Sequence, residues 1–148
     1  MTNEMTAWTA TELQDALNSA SSDTGVKCQQ LGDTNVLEVT LSEAGDFVLH
    51  VNVGETQILT SAVLWARDEQ ADPDAFEAMM LRSHKSLLPL CALSIDQIDG
   101  REYYELFGAM SCQTPIDDVL NEFTSIAQSA LELASDIGPG KTQSGDAS

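Results

Sequence analysis

Two histidines, three cysteines and a group of carboxylates around Asp99-Gly100 are the residues of this 148-residue chain with chemical potential. His50 and His84 lie far apart, and neither begins an H-x-x-H or H-E-x-x-H pattern or stands near a cysteine, so no metal or acid–base constellation is written into their spacing. His50 alternates onto the outward side of a predicted strand and His84 lies beside Lys85 near a predicted helix end; both read as surface histidines. Asp96, Asp99, Glu102 and Glu105 surround one predicted hairpin, and Asp117, Asp118 and Glu122 open the helix after it. A calcium loop sets its ligands as D-x-[DN]-x-[DN]-G, a spacing that Asp96-Gln-Ile-Asp99-Gly100 breaks. Asp117 and Asp118 already have a structural use, as negative charge at the positive end of a helix. Cys112 falls close to that same end, where a thiol becomes more acidic. No base accompanies it, and it reads as an ordinary or partly buried thiol, with Cys28 and Cys91 in the core. Gly138-Pro-Gly-Lys-Thr142 imitates the end of a phosphate-binding loop, but Ser135 stands where that motif needs glycine, a helix precedes it and a polar tail follows. No catalytic, cofactor-binding or metal-binding residue is assigned, and no cofactor is expected. The chain reads as a non-enzyme.

Charge narrows the field further. Twenty-four Asp and Glu against six Lys and Arg give a formal net charge of −18. Nucleic acid and anionic membrane surfaces are bound through clustered cations that displace counterions, and here the cations are few and scattered. Such acidity serves solubility, or it attracts and shields a basic partner. Three cysteines without C-x-x-C spacing argue against a disulfide framework or a zinc cluster. The first residues carry no basic and apolar leader pattern, and no apolar run approaches the roughly 18 residues of a membrane span. A reduced, cytoplasmic protein is expected.

The elements that must position these residues are legible in order. Residues 1–7 are polar and expected to be flexible. Trp8-Thr9-Ala-Thr-Glu12-Leu13 is a helix start, with Thr9 as N-cap, Glu12 reaching back, and Trp8 able to staple onto Leu13. That helix runs to about Ala20 and breaks at Ser21 to Gly25. Four strands follow, Val26 to Leu31, Val36 to Leu41, Phe47 to Val53 and Gln57 to Ala66, joined by short turns into an antiparallel meander. Arg67 to Ala71 is a polar link. Asp72-Pro73 starts a second helix as N-cap and N1, with Phe76, Met79, Met80, Ser83 and Leu87 on its buried stripe and Pro89 at its end. A strand from Leu90 to Ile98 leads into a two-residue Asp99-Gly100 turn of type I′, then a strand rich in β-formers at Tyr103, Tyr104 and Phe107. Thr114-Pro-Ile-Asp117 resembles a capping box, with Thr114 as N-cap. Ile116, Val119, Leu120, Phe123, Ile126, Ala127, Ala130, Leu131 and Ala134 then form one stripe of a long helix ended at Gly138. Residues 8–137 are predicted to be a single α+β domain and 138–148 a disordered tail. A mainly antiparallel sheet with helices against one face follows from the order helix, four strands, helix, two strands, helix.

That order resembles the secretion-chaperone type of fold. Asp99-Gly-Arg-Glu-Tyr-Tyr-Glu-Leu-Phe-Gly-Ala-Met110 is similar to the corresponding phrase of the YjfI family of bacterial proteins. The resemblance implies a small cytosolic accessory protein, in a setting near a phage-shock-type membrane stress system. The functional expectation is an acidic, chaperone-like, protein-binding factor, a homodimer, whose partner carries a basic amphipathic segment. Tyr103, Tyr104, Glu102 and Glu105 are the candidate partner-binding residues: in a strand Tyr103 and Glu105 face one way and Tyr104 the other, so one tyrosine lies away from the core. Two alternatives stay open. One is a small hydrolase or metal-dependent enzyme using the hairpin carboxylates with a histidine; the other is a small-ligand-binding regulator.

Overall fold

The computed structural model describes residues 6–88 and 90–139. Most of the expected flexible N-terminus (1–5), most of the expected tail (140–148) and the helix-ending Pro89 therefore lie outside the described residues.

Six antiparallel strands make one sheet: β1 (Val26–Gln30), β2 (Val36–Leu41), β3 (Phe47–Val53), β4 (Gln57–Ala66), β5 (Ala92–Ile98) and β6 (Arg101–Ser111). Their spatial order is β1-β2-β3-β4-β6-β5, so the hairpin joins the meander through β6 and leaves β5 at the edge. Strict alternation in the sequence explains the two faces. Leu37, Val39 and Leu41 of β2, Leu49, Val51 and Val53 of β3, and Ile58 and Ala62 of β4 all point to one buried side. The turn between β5 and β6 has Asp99 at φ 52° and Gly100 at φ 82°, the pair of positive values that a type I′ turn requires.

Helices α1 (Ala10–Ser19), α3 (Pro73–Leu87) and α4 (Ile116–Ile137) are joined by the single turn α2 (Ser21–Thr24). The expected break after Ala20 is thus a one-turn helix, closed by Gly25 at φ 71°. Thr9 caps α1 in a full capping box with Glu12. Trp8 is tied across the molecule: its amide donates to the Cys112 carbonyl at 2.8 Å, and its indole N–H to that of Thr114 at 2.7 Å. Leu13 and Leu17 of α1, Phe76 and Met80 of α3, and Val119, Phe123, Ile126 and Ala130 of α4 complete one core on one side of the sheet.

Three helix expectations need correction. Thr114 does not cap α4: its hydroxyl donates to the Ser111 carbonyl at 2.6 Å in a local turn, and Pro115 takes the N-cap position without a side-chain bond. The stripe on α4 turns as the helix lengthens, so Leu131 and Ala134 are exposed and Leu133 buried. On α3, Leu87 is exposed and Leu88, just past the last turn, is buried instead.

Candidate protein-binding surface

The hairpin phrase divides between two environments. Tyr104 lies on the helix side, wholly buried, with its ring 4.8 Å from Phe76 and 6.2 Å from Trp65. Its hydroxyl donates to Glu77 Oε2 at 2.7 Å, and Arg67 Nε donates to the same oxygen. The Arg67 guanidinium holds the Glu77 carboxyl below its usual range, with a further contribution from the Tyr104 hydroxyl. Burial, and then the neighbouring Glu77 charge, push the Tyr104 phenol well up. Glu102 faces the same side and stands 3.8 Å from Arg67. Tyr104, named in the sequence among the partner-binding residues, is therefore a core residue that fixes α3 on β6. The polar link read at Arg67 to Ala71 holds this network together: Arg67 also bonds Asp74 at 2.9 Å, and buried Gln70 accepts the Trp65 indole N–H at 2.9 Å. No local pattern announces these contacts. The opposite charges of Arg67 and Glu77 were the only sign.

Tyr103 and Glu105 face the other way, onto a sheet surface that no helix among the described residues covers. Cross-strand pairing aligns its residues in rows: Glu38, His50, Ser61, Phe107 and Ala92 in one, and Val63, Glu105 and Ser94 in the next. Val48 and Val63 are 41% and 39% exposed, and Leu59 and Phe107 are half-buried beside them. Glu38, Asp96 and Glu105 lie around this apolar strip. Burial raises the Glu105 carboxyl, and Asp96 raises it further by charge and by a hydrogen bond. At the hairpin end, Arg101 lies 5.5 Å over the Tyr103 ring and is committed to Asp68 by two bonds of 2.6 and 3.0 Å.

The other sequence candidates are dispersed. His50 is exposed on the open face, 3.8 Å from Glu38. His84, expected at the surface, is instead half-buried, because it accepts the Leu93 amide N–H at Nε2, 3.1 Å away. Among the described residues no ion pair joins either histidine to Asp96, Glu102 or Glu105, and no three His, Cys, Asp or Glu side chains are placed to hold a metal ion. Cys112 and Cys28 are buried; the Cys112 thiol donates to the Gly54 carbonyl at 3.1 Å, and burial pushes the Cys28 thiol up to about 11. Cys91 is half-buried, its thiol raised by burial and the Glu122 charge against a lowering bond from Ser129. Asp117 and Asp118 are exposed in the first turn of α4. No helix among the described residues is long and apolar enough to cross a membrane.

A six-stranded sheet with helices on one side and an acid-bordered apolar strip on the other defines an α+β protein of the kind that presents a sheet face. Solved structures share that fold. YbjN from Escherichia coli, a suggested transcription regulator, aligns with a TM-score of 0.58 at 16% identity, over 82% of this chain and 91% of YbjN. An uncharacterised protein from Methanothermobacter thermautotrophicus gives 0.58 at 11% identity, over 84% and 96%. The ExsC–ExsE complex gives 0.56 at 10% identity, over 93% and 100%, and carries the secretion-chaperone likeness expected from the element order. The chain belongs to the DUF2170 family, described as uncharacterised and conserved in bacteria, which it matches over residues 7–139. It is similar to the uncharacterised protein YjfI of Escherichia coli strain K12, with 30% identity over 100 residues, 68% of this chain and 74% of YjfI. YjfI of strain O157:H7 matches with the same identity and coverage.

Proposed function

We propose that this protein is a non-enzymatic, chaperone-like accessory factor of the cytoplasm, whose 8–137 domain binds a protein partner on the open sheet face. The observation that carries this reading is the apolar strip of Val48, Leu59, Val63 and Phe107 with Glu38, Asp96 and Glu105 around it. A basic amphipathic segment matches it in both respects, burying its apolar stripe while its cations meet the carboxylates. Such segments are common where proteins work on membrane surfaces, which agrees with the membrane-stress setting that the family resemblance implies. A neighbour solved as a complex of two proteins supports a protein partner rather than a small substrate. The chain itself acts as a homodimer.

Capture of partners from native cells on the immobilised chain, followed by binding kinetics, tests the reading. Reversing two charges, Glu38→Lys with Glu105→Lys, should slow association several-fold or more while the domain stays folded. Phe107→Ala should instead speed dissociation, at a cost of about 1–2 kcal/mol for a contact near the centre of an interface. Recovery of no protein partner, with turnover of a small molecule lost on changing His50 or His84, would move the assignment to an enzyme.

A further inference from the structure

Along α3 the charges divide by sign. Asp74 and Glu77 fall in its first half, and Arg82, His84 and Lys85 in its second. Arg67 and Arg101 are committed to carboxylates, whereas Arg82 and Lys85 form no ion pair among the described residues. One ridge of the helix runs Asp74, Ala78, Leu81, Lys85, the spacing of four, three and four that lines up side chains on one face. Its central residue, Leu81, is 77% exposed, the most exposed large hydrophobic side chain among the described residues. Beside it lies an apolar slot of about 230 Å³ between α3 and the edge strand, walled by Met80, Leu81, Leu93 and Ile95. There the sheet extends past its helix layer: Ile95 belongs to the helix-side face, opposite buried Tyr104 in register, yet is 43% exposed.

From this we infer that α3 is the self-association surface, and that its occupant is α3 of a second copy in antiparallel orientation. The inference rests on the homodimer proposed above and locates it. A two-fold axis passing between Ala78 and Leu81 sets each Leu81 against the small Ala78 of the partner and each Asp74 against the partner's Lys85. The ridge is its own complement in shape and in charge, as an isologous interface demands. Antiparallel pairing also places the positive end of each helix beside the negative end of the other. Nearly everywhere else a copy of this chain would meet like charge, since each carries −18. Strand-to-strand pairing at β5 is the weaker alternative: the Leu93 amide is occupied by His84 and the Gln97 amide by Asp96, at 3.1 and 3.0 Å.

Light scattering and sedimentation equilibrium on the full chain test this. Leu81→Asp should keep the native circular dichroism, because its side chain is exposed, and should raise the dimer dissociation constant roughly 30-fold or more, the effect of losing a central anchor. Asp74→Lys and Lys85→Asp should each weaken the dimer, and the double variant should restore it. That rescue is independent of any loss of fold in a single variant. A wild-type dimer indifferent to all three changes would overturn the α3 assignment and keep the homodimer. A wild-type monomer at micromolar concentration would overturn both, and leave the open sheet face to be judged by its own partner.

Discussion

Tyr104→Phe isolates one hydrogen bond in the core and tests how α3 is held. The substitution keeps the ring against Phe76 and Trp65 and removes the hydroxyl that donates to Glu77 at 2.7 Å. A hydrogen bond to a charged group contributes about 1.5–3 kcal/mol. Glu77 keeps Arg67, and its side chain is 25% exposed, so water replaces part of the loss and the low end, about 1.5 kcal/mol, is expected. For a chain of this size that lowers Tm by about 3–6 °C. Tyr103→Phe, on the open face, should change little. The alkaline limb gives a second signature. Because the folded Tyr104 pKa lies above its unfolded value near 10, its contribution is complete below pH 10 and is lost as pH rises toward the folded value. The Phe variant should lack that loss. Urea denaturation of wild type and both variants from pH 7 to 11 measures all of this. Equal midpoints for Tyr104→Phe and wild type across that range would refute the assignment of Tyr104 as the residue fixing α3.

Gly100→Val should cost about 1–3 kcal/mol in urea, because a β-branched residue is strained at φ 82°. Stability should rise as pH falls from 7 through the raised carboxyls of Glu105 and Glu122. It should then drop below the ordinary carboxylate range as Glu77 and Asp68, whose pKa values are lowered, take up protons; a maximum at or above pH 7 would contradict those shifts. A thiol reagent such as a disulfide dye should label Cys91 first and slowly at neutral pH, with buried Cys28 and Cys112 reacting only on unfolding. The dimer should weaken at low salt, where screening of the −18 charges extends over roughly 30 Å at 0.01 M; light scattering across ionic strength reads this directly.

What could be read from the chain alone was local. Thr9 and Glu12 form their capping box because the partners are three residues apart, and Asp99-Gly100 makes its turn because two positive φ values suffice. Alternation in Val36 to Leu41 reports its buried face for the same reason. Other features depended on distant neighbours. Tyr103 and Tyr104 were known to point opposite ways, but which faced the core turned on β6 lying between β4 and β5, a matter of pairing far along the chain. Thr114 looked like a cap until its hydroxyl found the Ser111 carbonyl. The network of Arg67, Glu77 and Tyr104 needs three elements assembled at once. The open face was half visible: His50 lies outward as its alternation predicts, with Val48 and Asn52 on the same side, while the apolar neighbours Leu59, Val63 and Phe107 became a strip only through register.

The seam between β4 and β6 also bears on how the protein folds. β1 to β4 can form by successive short closures, and β5 to β6 by the tightest closure of all, so two sheet fragments can exist before they meet. Joining them requires a long chain segment, including α3, to close, and loops of that kind make for slow steps. α4 packs on β3, β4 and β6, and so spans the join only after it exists. At the join, Thr60 faces Gly108 across the strands with its buried hydroxyl lacking a bonding partner among the described residues, and Glu122 of α4 fills the space above the glycine. Side chains there should therefore govern the folding rate more than the unfolding rate. A polar-to-apolar change such as Thr60→Val, which removes the orphan hydroxyl, should speed the approach to the native state.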